Sequence, residues 1–392
     1  MGLICINNKL HMSSLRIILS NKRYFAPASI FATLNILMGT WAIYIPTVKG
    51  TLQISDGDFG IALFCFGLGV LVMVLFAPKL IEKLEVGKAT FYAVISLFIT
   101  MLLPISAKSY TVLCVSLFMA GLSTGFLDIA MNALVSAIEK IDDIRIMAVN
   151  HGFFSLGGMI GAGIGILLMQ YIPSGFYHML LVAMLLLVLQ LFMIKSYFSV
   201  KSEYEKGVKV GLKDLKPLIA LIVVAFFVMG SEGAVEHWSA LYLDKIVRTP
   251  EKFLGIGFTI FSFTMALFRF FGDSLSKKIG SYNLMVYGLV VAIFGLLLVI
   301  YASLVTTIFG FALIGVGFSV IVPELFRMAS NTPSVSPEKG IAIISGIGFL
   351  GFLMFPFILG TISEVFTLKA SFVALLVCSV IAFFIALFLK LK

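Results

Sequence analysis

Twelve times along its length this chain runs for about 20 residues with almost no charge, which is the length a helix needs to cross the hydrocarbon core of a bilayer. The runs fall at roughly 24–48, 58–78, 88–107, 110–137, 146–171, 176–198, 217–243, 254–274, 281–303, 305–327, 339–363 and 367–390. A soluble fold has no place to hide them. Of 392 residues 60% are hydrophobic, 38 are Phe and only 12% are charged, against about 25% charged in ordinary soluble domains. The expected fold class is therefore an all-α membrane protein with twelve transmembrane helices. The one long polar interval, "KSEYEKGVKVGLKDLKP" at 201–217, splits the runs into two sets of six. The expected organisation is a tail at 1–23, a six-helix bundle at 24–200, a linker at 201–216 and a second six-helix bundle at 217–392.

The 28 Lys and Arg give a net charge of +9, and their distribution explains it. Cytoplasmic loops retain basic residues. With the N-terminus inside, only Lys49, Lys108, Lys245, Arg248, Lys252 and Lys369 fall in outer loops and Arg269 within a span; all the others fall inside. Both termini and the linker are thus expected in the cytoplasm, and the basic excess signals topology, with no nucleic-acid partner. The tail "MGLICINNKLHMSSLRIILSNKRYF" lacks the uninterrupted apolar core of a cleaved signal and is expected to be retained. Ile6 stands where a myristoylation pattern needs Ser or Thr. Cys5, Cys65, Cys114 and Cys378 show neither CxxC nor metal-like spacing and read as packing residues.

The halves repeat each other weakly but at one offset. "LMGTW" of the first span meets "VMGSE" of the seventh, Phe59 meets Phe253, Gly87 meets Gly280, "STGFLDIAMN" meets "GVGFSVIVPE", and "IMAVNHGFFSLGGMIGAGIG" meets "IAIISGIGFLGFLMFPFILG". Two parallel six-helix repeats joined by a cytoplasmic loop is the architecture of the major facilitator superfamily, and this chain resembles that family over its whole length. The resemblance implies two pseudo-symmetric bundles and transport by alternating access.

Family motifs are partly present. The loop between the second and third spans usually reads G-x-x-x-D-R-x-G-R-R; here "PKLIEKLEVGK" keeps the charge order in Glu82 and Lys83, while Pro78 and Glu85 replace glycines. The second-half copy, "RFFGDSLSKKIGS", places Arg269 and Asp273 one helical turn apart. The resemblance implies that Glu82, Lys83, Arg269 and Asp273 gate the inner side; the plainer reading of the last two is an i,i+4 pair that neutralises Arg269. In the fifth span "GGMIGAGIG" lacks the proline usual in drug/proton antiporters, and Gly157, Gly161 and Gly165 form a small-residue stripe for close helix approach.

A charge at mid-bilayer costs at least about 2.5 to 3.5 kcal/mol, so carboxylates inside spans are functional candidates. Asp128 lies about halfway through the fourth span with Asn132 one turn on. A carboxyl in a low-dielectric cavity can exchange a proton near neutral pH, which makes Asp128 a candidate coupling site; a structural hydrogen bond is the other reading. The repeat sets Glu324, after Pro323, opposite Asn132 and makes it a second candidate. His151 stands about four residues into the fifth span, as a proton relay or a hydrogen-bonding strut.

The stretch "GSEGAVEHWSALYL" at 230–243 carries Glu232, Glu236, His237 and Trp238. At 1.5 Å per residue from Pro217, Glu232 lies roughly 22 Å in and Glu236 roughly 28 Å in. Glu232 is therefore expected to be buried, whereas Glu236 and His237 are expected at a hydrated outer mouth with Trp238 at its aromatic edge. "GFLDIAMNAL", "HGFFSLGG", "EGAVEHWSALYL" and "RFFGDSL" are similar to a bacterial inner-membrane branch related to the fucose permeases. That resemblance marks Asp128, Asn132, His151, Glu232 and Trp238 as cavity-side residues. The first span lacks the acidic residue those permeases use and offers Asn35, Trp41 and Tyr44; the aromatic pair suits a sugar face or simply lines the cavity.

The expectation that emerges is a monomeric secondary transporter of a small polar solute, sugar-like or a related metabolite. It is coupled to protons through Asp128, Glu232 or Glu324, with Asn35, Trp41, Tyr44, Asn132, His151 and Trp238 as solute contacts. The alternative is a proton-driven exporter of amphipathic compounds, favoured by the Phe and Met content. HExxH, GxSxG, P-loop and Cys/His metal patterns are all missing from the sequence, so an enzyme, a cofactor and a metal are not expected.

Overall fold

A computed structural model describes residues 16–172, 174–201, 211–333 and 335–389. Among these, twelve helices are long and apolar enough to cross a membrane. They are α1 (Lys22–Leu52), α2 (Asp56–Leu84), α3 (Val86–Ile105), α4 (Tyr110–Asp142), α5 (Met147–Met169), α6 (Gly175–Met193), α7 (Ile219–Tyr242), α8 (Ile256–Ile279), α9 (Ser281–Tyr301), α10 (Leu304–Ser330), α11 (Pro337–Val365) and α12 (Leu368–Leu389). The described residues contain no strand. Helices satisfy every backbone donor and acceptor within the segment, which the absence of water in a hydrocarbon core requires. Most of the tail and the middle of the linker lie outside the described residues.

The chain forms two compact units, the described parts of 1–41, 65–161 and 171–205, and those of 42–64, 162–170 and 206–392. In the first unit the glycine stripe of α5 seats α1: a Cβ on Gly157 or Gly161 would run into the backbone of Ala32 or Ile36. Close approach of this kind is how small residues bind helices where no hydrophobic effect drives them together. Buried Gln190 of α6 then ties in α1, donating to Thr33 Oγ1 at 3.0 Å and Ser29 Oγ at 3.2 Å.

In the second unit α7 packs against α11. A Cβ on Gly233 would sit 2.6 Å from the Phe352 carbonyl oxygen, and one on Gly230 2.6 Å from the Phe355 ring. Pro356 interrupts the hydrogen bonding of α11, because it has no N–H to offer. Trp238 Nε1 donates to the Pro356 carbonyl at 3.1 Å, and Tyr242 donates to the Val299 carbonyl of α9 at 2.9 Å. These bonds fix the rotation of α7, and with it the direction of its glutamates.

The helix junctions repeat as well. Glu85, immediately before α3, has φ 69° and ψ 145°, and Gly280, immediately before α9, has φ 80° and ψ 151°. The backbone break therefore makes Glu85, and not Gly87, the counterpart of Gly280. A positive φ with this ψ is a conformation essentially reserved for glycine, which explains why the family motif prefers Gly where this chain carries Glu85.

Candidate functional site

On α4, Asn132 turns back on its own helix, its Nδ2 donating to the Asp128 carbonyl at 2.8 Å and approaching Asp128 Oδ1 at 3.4 Å. Asp128 is part-buried, and no cation reaches it in an ion pair among the described residues. Asn132, expected on the same helix face, is therefore a neutral neighbour of the Asp128 carboxyl.

On α7, Glu232 Oε2 lies 3.5 Å from Arg269 Nη2 of α8. The cation expected to pair with Asp273 thus reaches across to a neighbouring helix; the Asp273 side chain lies outside the described residues. Glu232 Oε1 is buried without a hydrogen-bond partner. One turn further along α7, Glu236 is only 7% exposed, with His237 at 3% and Trp238 fully enclosed. The expectation of a hydrated mouth for Glu236 and His237, edged by Trp238, is overturned: α11 covers this part of α7. Trp238 packs edge-on against Phe59, ring centroids 5.6 Å apart, so its indole is committed to packing.

Each of the other expected solute contacts has its own surroundings. Asn35 is buried and donates to the Phe154 carbonyl of α5 at 2.9 Å, leaving its own Oδ1 unpartnered. Trp41 and Tyr44 are buried in α1. His151 is exposed and meets Phe31 edge-on at 5.1 Å. Glu324, also buried, accepts from Arg327 Nη1 at 2.9 Å and from Ser276 Oγ at 2.9 Å. Its charge is already matched, by a partner at i,i+3 that the sequence spacing could have revealed. Glu82 and Lys83 are both exposed. In that loop the paired carboxylate is Glu85, which accepts from Lys88 at 2.9 Å and lies 2.5 Å from Lys201. The hydrogen bond from Lys201, then that from Lys88, holds Glu85 below the usual carboxylate range.

A cluster that sequence reading passed over occupies the N-terminal end of α2. Asp56 receives Lys245 at 2.6 Å, Lys49 at 2.9 Å and the Ser363 hydroxyl. Glu364 Oε2 accepts from the Gly57 backbone N–H at 3.0 Å, where the open N–H groups of a helix start favour an anion. Just inside, α2 and α11 cross glycine to glycine: a Cβ on Gly60 would stand 3.0 Å from the Gly360 Cα. The only early sign was the paired acids at the start of the second span.

Intramembrane carboxylates, helices joined through glycine crossings and a repeated helix junction describe a carrier. A family model described as the Major Facilitator Superfamily matches residues 26–250. The chain belongs to the major facilitator superfamily. It is 28% identical over 343 residues to the uncharacterized transporter y4wD of Sinorhizobium fredii, covering 86% of this chain and 90% of that protein. It is 26% identical over 334 residues to the membrane protein MosC of Rhizobium meliloti, covering 84% of this chain and 81% of that protein. Among solved structures, the nucleoside transporter NupG matches with a TM-score of 0.71 at 12% identity, covering 94% of this chain and 98% of that one. A bacterial homologue of the lysosomal transporter Spinster, captured inward-facing, matches with a TM-score of 0.71 at 13% identity over 93% and 96% of the two chains. At such identities the solved structures speak for the fold alone. The superfamily member described here is an integral membrane transporter of small solutes, and not an enzyme.

Proposed function

We propose that this transporter carries a small polar solute, sugar-like or a related metabolite, coupled to protons, across a bacterial inner membrane with both termini in the cytoplasm. The observation that carries the reading is Asp128, a carboxylate midway along a spanning helix whose side chain meets, among the described residues, a weak neutral donor, Asn132 Nδ2 at 3.4 Å, and no ion-pairing cation. An uncompensated carboxylate inside a membrane is costly unless it serves a proton or a substrate. Glu232 joins it as a second coupling group through its exchangeable pairing with Arg269. Glu324 is assigned to structure, because Arg327 already answers its charge.

With the positive-inside orientation, the Asp56 cluster lies at the outer face and parts when the carrier opens outward. The motif likeness supports a reading of the chain as a member of the branch related to the fucose permeases. A second reading, export of amphipathic compounds, is favoured by the aromatic cluster of Phe226, Phe227 and Phe355 between α7 and α11.

A proteoliposome screen decides between them. Labelled sugars, nucleosides and lipophilic dyes are offered against an imposed pH gradient, with Asp128→Asn and Glu232→Gln alongside. Uptake of a polar solute that follows the gradient and falls in both variants is the expected result. Movement of dyes alone favours the exporter, and uptake indifferent to the gradient and to both variants refutes proton coupling.

A further inference from the structure

Glu232 and Glu236 stand at i,i+4 on α7, which sets their Cβ atoms about 6 Å apart on one helix face. Both are largely enclosed, Glu232 with 14% of its side chain exposed and Glu236 with 7% of the residue. Arg269 Nη2 lies 3.5 Å from Glu232 Oε2. Glu236 is more than nine-tenths buried, and among the described residues no hydrogen bond or ion pair reaches it; the charge beside it is that of Glu232.

Among the described residues, no second cation forms an ion pair with Glu232 or Glu236. α11 carries Glu338, Lys339 and Glu364 towards its two ends, and α12 carries Lys369 at its start. α10 carries Glu324 and Arg327, which pair with each other. α8 contributes Arg269, with Asp273, Lys277 and Lys278 one to three turns further on. His237, next in sequence, points about 100° away around the helix. Among the described residues, one cation, Arg269, therefore stands beside two largely enclosed carboxylates. Uncompensated buried carboxylates neutralise by taking up a proton, since desolvation disfavours the charged form.

We propose that Glu232, Glu236 and Arg269 form a one-proton site, in which Arg269 compensates the Glu232 carboxylate and Glu236 carries the proton as a neutral carboxyl. This deepens the proton-coupled reading, on which its role in transport rests, by naming a carrier one turn beyond Glu232. The proton leaves Glu236 only when water or a cationic group of the solute replaces it, so a change in access to α7 controls its release. No other group changes: one O–H bond breaks, the proton passes to water and the carboxylate remains.

The site itself is tested without any solute. Purified protein in lipid nanodiscs is examined at neutral pH by infrared spectroscopy in H2O and D2O, reading the C=O stretch of protonated carboxyl groups. Wild type is expected to show a protonated-carboxyl band that Glu236→Gln removes and Asp128→Asn leaves in place, while Arg269→Gln adds a second contribution from Glu232. Size exclusion and thermal unfolding check that each variant is folded; if Glu236→Gln fails that check, Glu236→Asp is used, and the band is expected to shift. A band unchanged by substitution at Glu236 overturns the proposal. That outcome is distinct from failure of proton coupling, which solute uptake indifferent to a pH gradient would reveal while leaving the Glu236 band present.

Discussion

Asp56 at the start of α2 and Glu232 within α7 are comparably enclosed, with side chains 12% and 14% exposed, yet their company differs. Asp56 is met by two lysines and a hydroxyl. Glu232 has one arginine at 3.5 Å, an unpartnered oxygen, and a second carboxylate one turn away. A saturated carboxylate keeps a fixed charge and holds its neighbours in place. On the proposed reading, an under-matched pair keeps a proton in play, and the ratio of anions to cations around a buried carboxylate, more than burial alone, is what sets the proposed coupling groups apart.

The largest effect is expected from Asp56→Ala. It strands Lys49, only 7% exposed, without its counter-ion, and breaking a buried pair from one side costs about 3–5 kcal/mol. Unfolding in detergent measures it, and a loss as small as that of a surface pair, about 0–1 kcal/mol, would erase the distinction drawn above. Arg269→Gln is next: about 2.5–3.5 kcal/mol is the ceiling that a charged Glu232 would set, and the proton that Glu232 takes up lowers the loss below it. Adding Glu232→Gln is expected to restore most of that loss, because the two side chains matter to each other; simple additivity in the double-mutant cycle would show that they are not coupled.

Ser363→Ala removes one hydrogen bond to Asp56 while both lysines remain, and about 1.5 kcal/mol is expected, the low end for a bond to a charged group. Glu85 supplies the half-buried control. Lys201 and Lys88 hold its carboxyl below the ordinary value of 4.5, so the unfolded state binds the proton more readily. Its contribution is fully present above about pH 4.5 and lost as pH falls further. The difference in melting temperature between wild type and Lys201→Ala should be the smallest of these effects and should vanish in acid. A difference that grows in acid would contradict the assigned pairing.

Much of the fold was legible because bilayer thickness imposes a length on every span and the absence of water imposes the helix. The glycine stripe at Gly157 and Gly161 was also readable, since close approach needs no distant partner to be inferred. The site was less so. Pairing Arg269 with Asp273 followed the helix period, and the Asp273 side chain lies outside the described residues; the approach of Glu232 from α7 to Arg269 was not readable, because single-chain spacing carries no information about which neighbouring helix presents a carboxylate. Counting depth from Pro217 set Glu236 at the surface, because that count takes the bilayer as the only cover. The helical segment runs from Lys213 to Val247, longer than a bilayer requires, and α11 rather than lipid encloses its upper turns. The Asp56 cluster joins residues 49, 56, 245 and 363, which only the fold brings together.

Proton movement accompanying solute movement tests the central claim most directly. Proteoliposomes holding a trapped pH-sensitive dye are given an inward gradient of a polar solute found by the screen, with no imposed pH gradient. Wild type is expected to acidify the lumen as solute enters, and Asp128→Asn to let solute equilibrate without the pH change. Solute entry in wild type with no change in lumenal pH, or an undiminished change in Asp128→Asn, would contradict it.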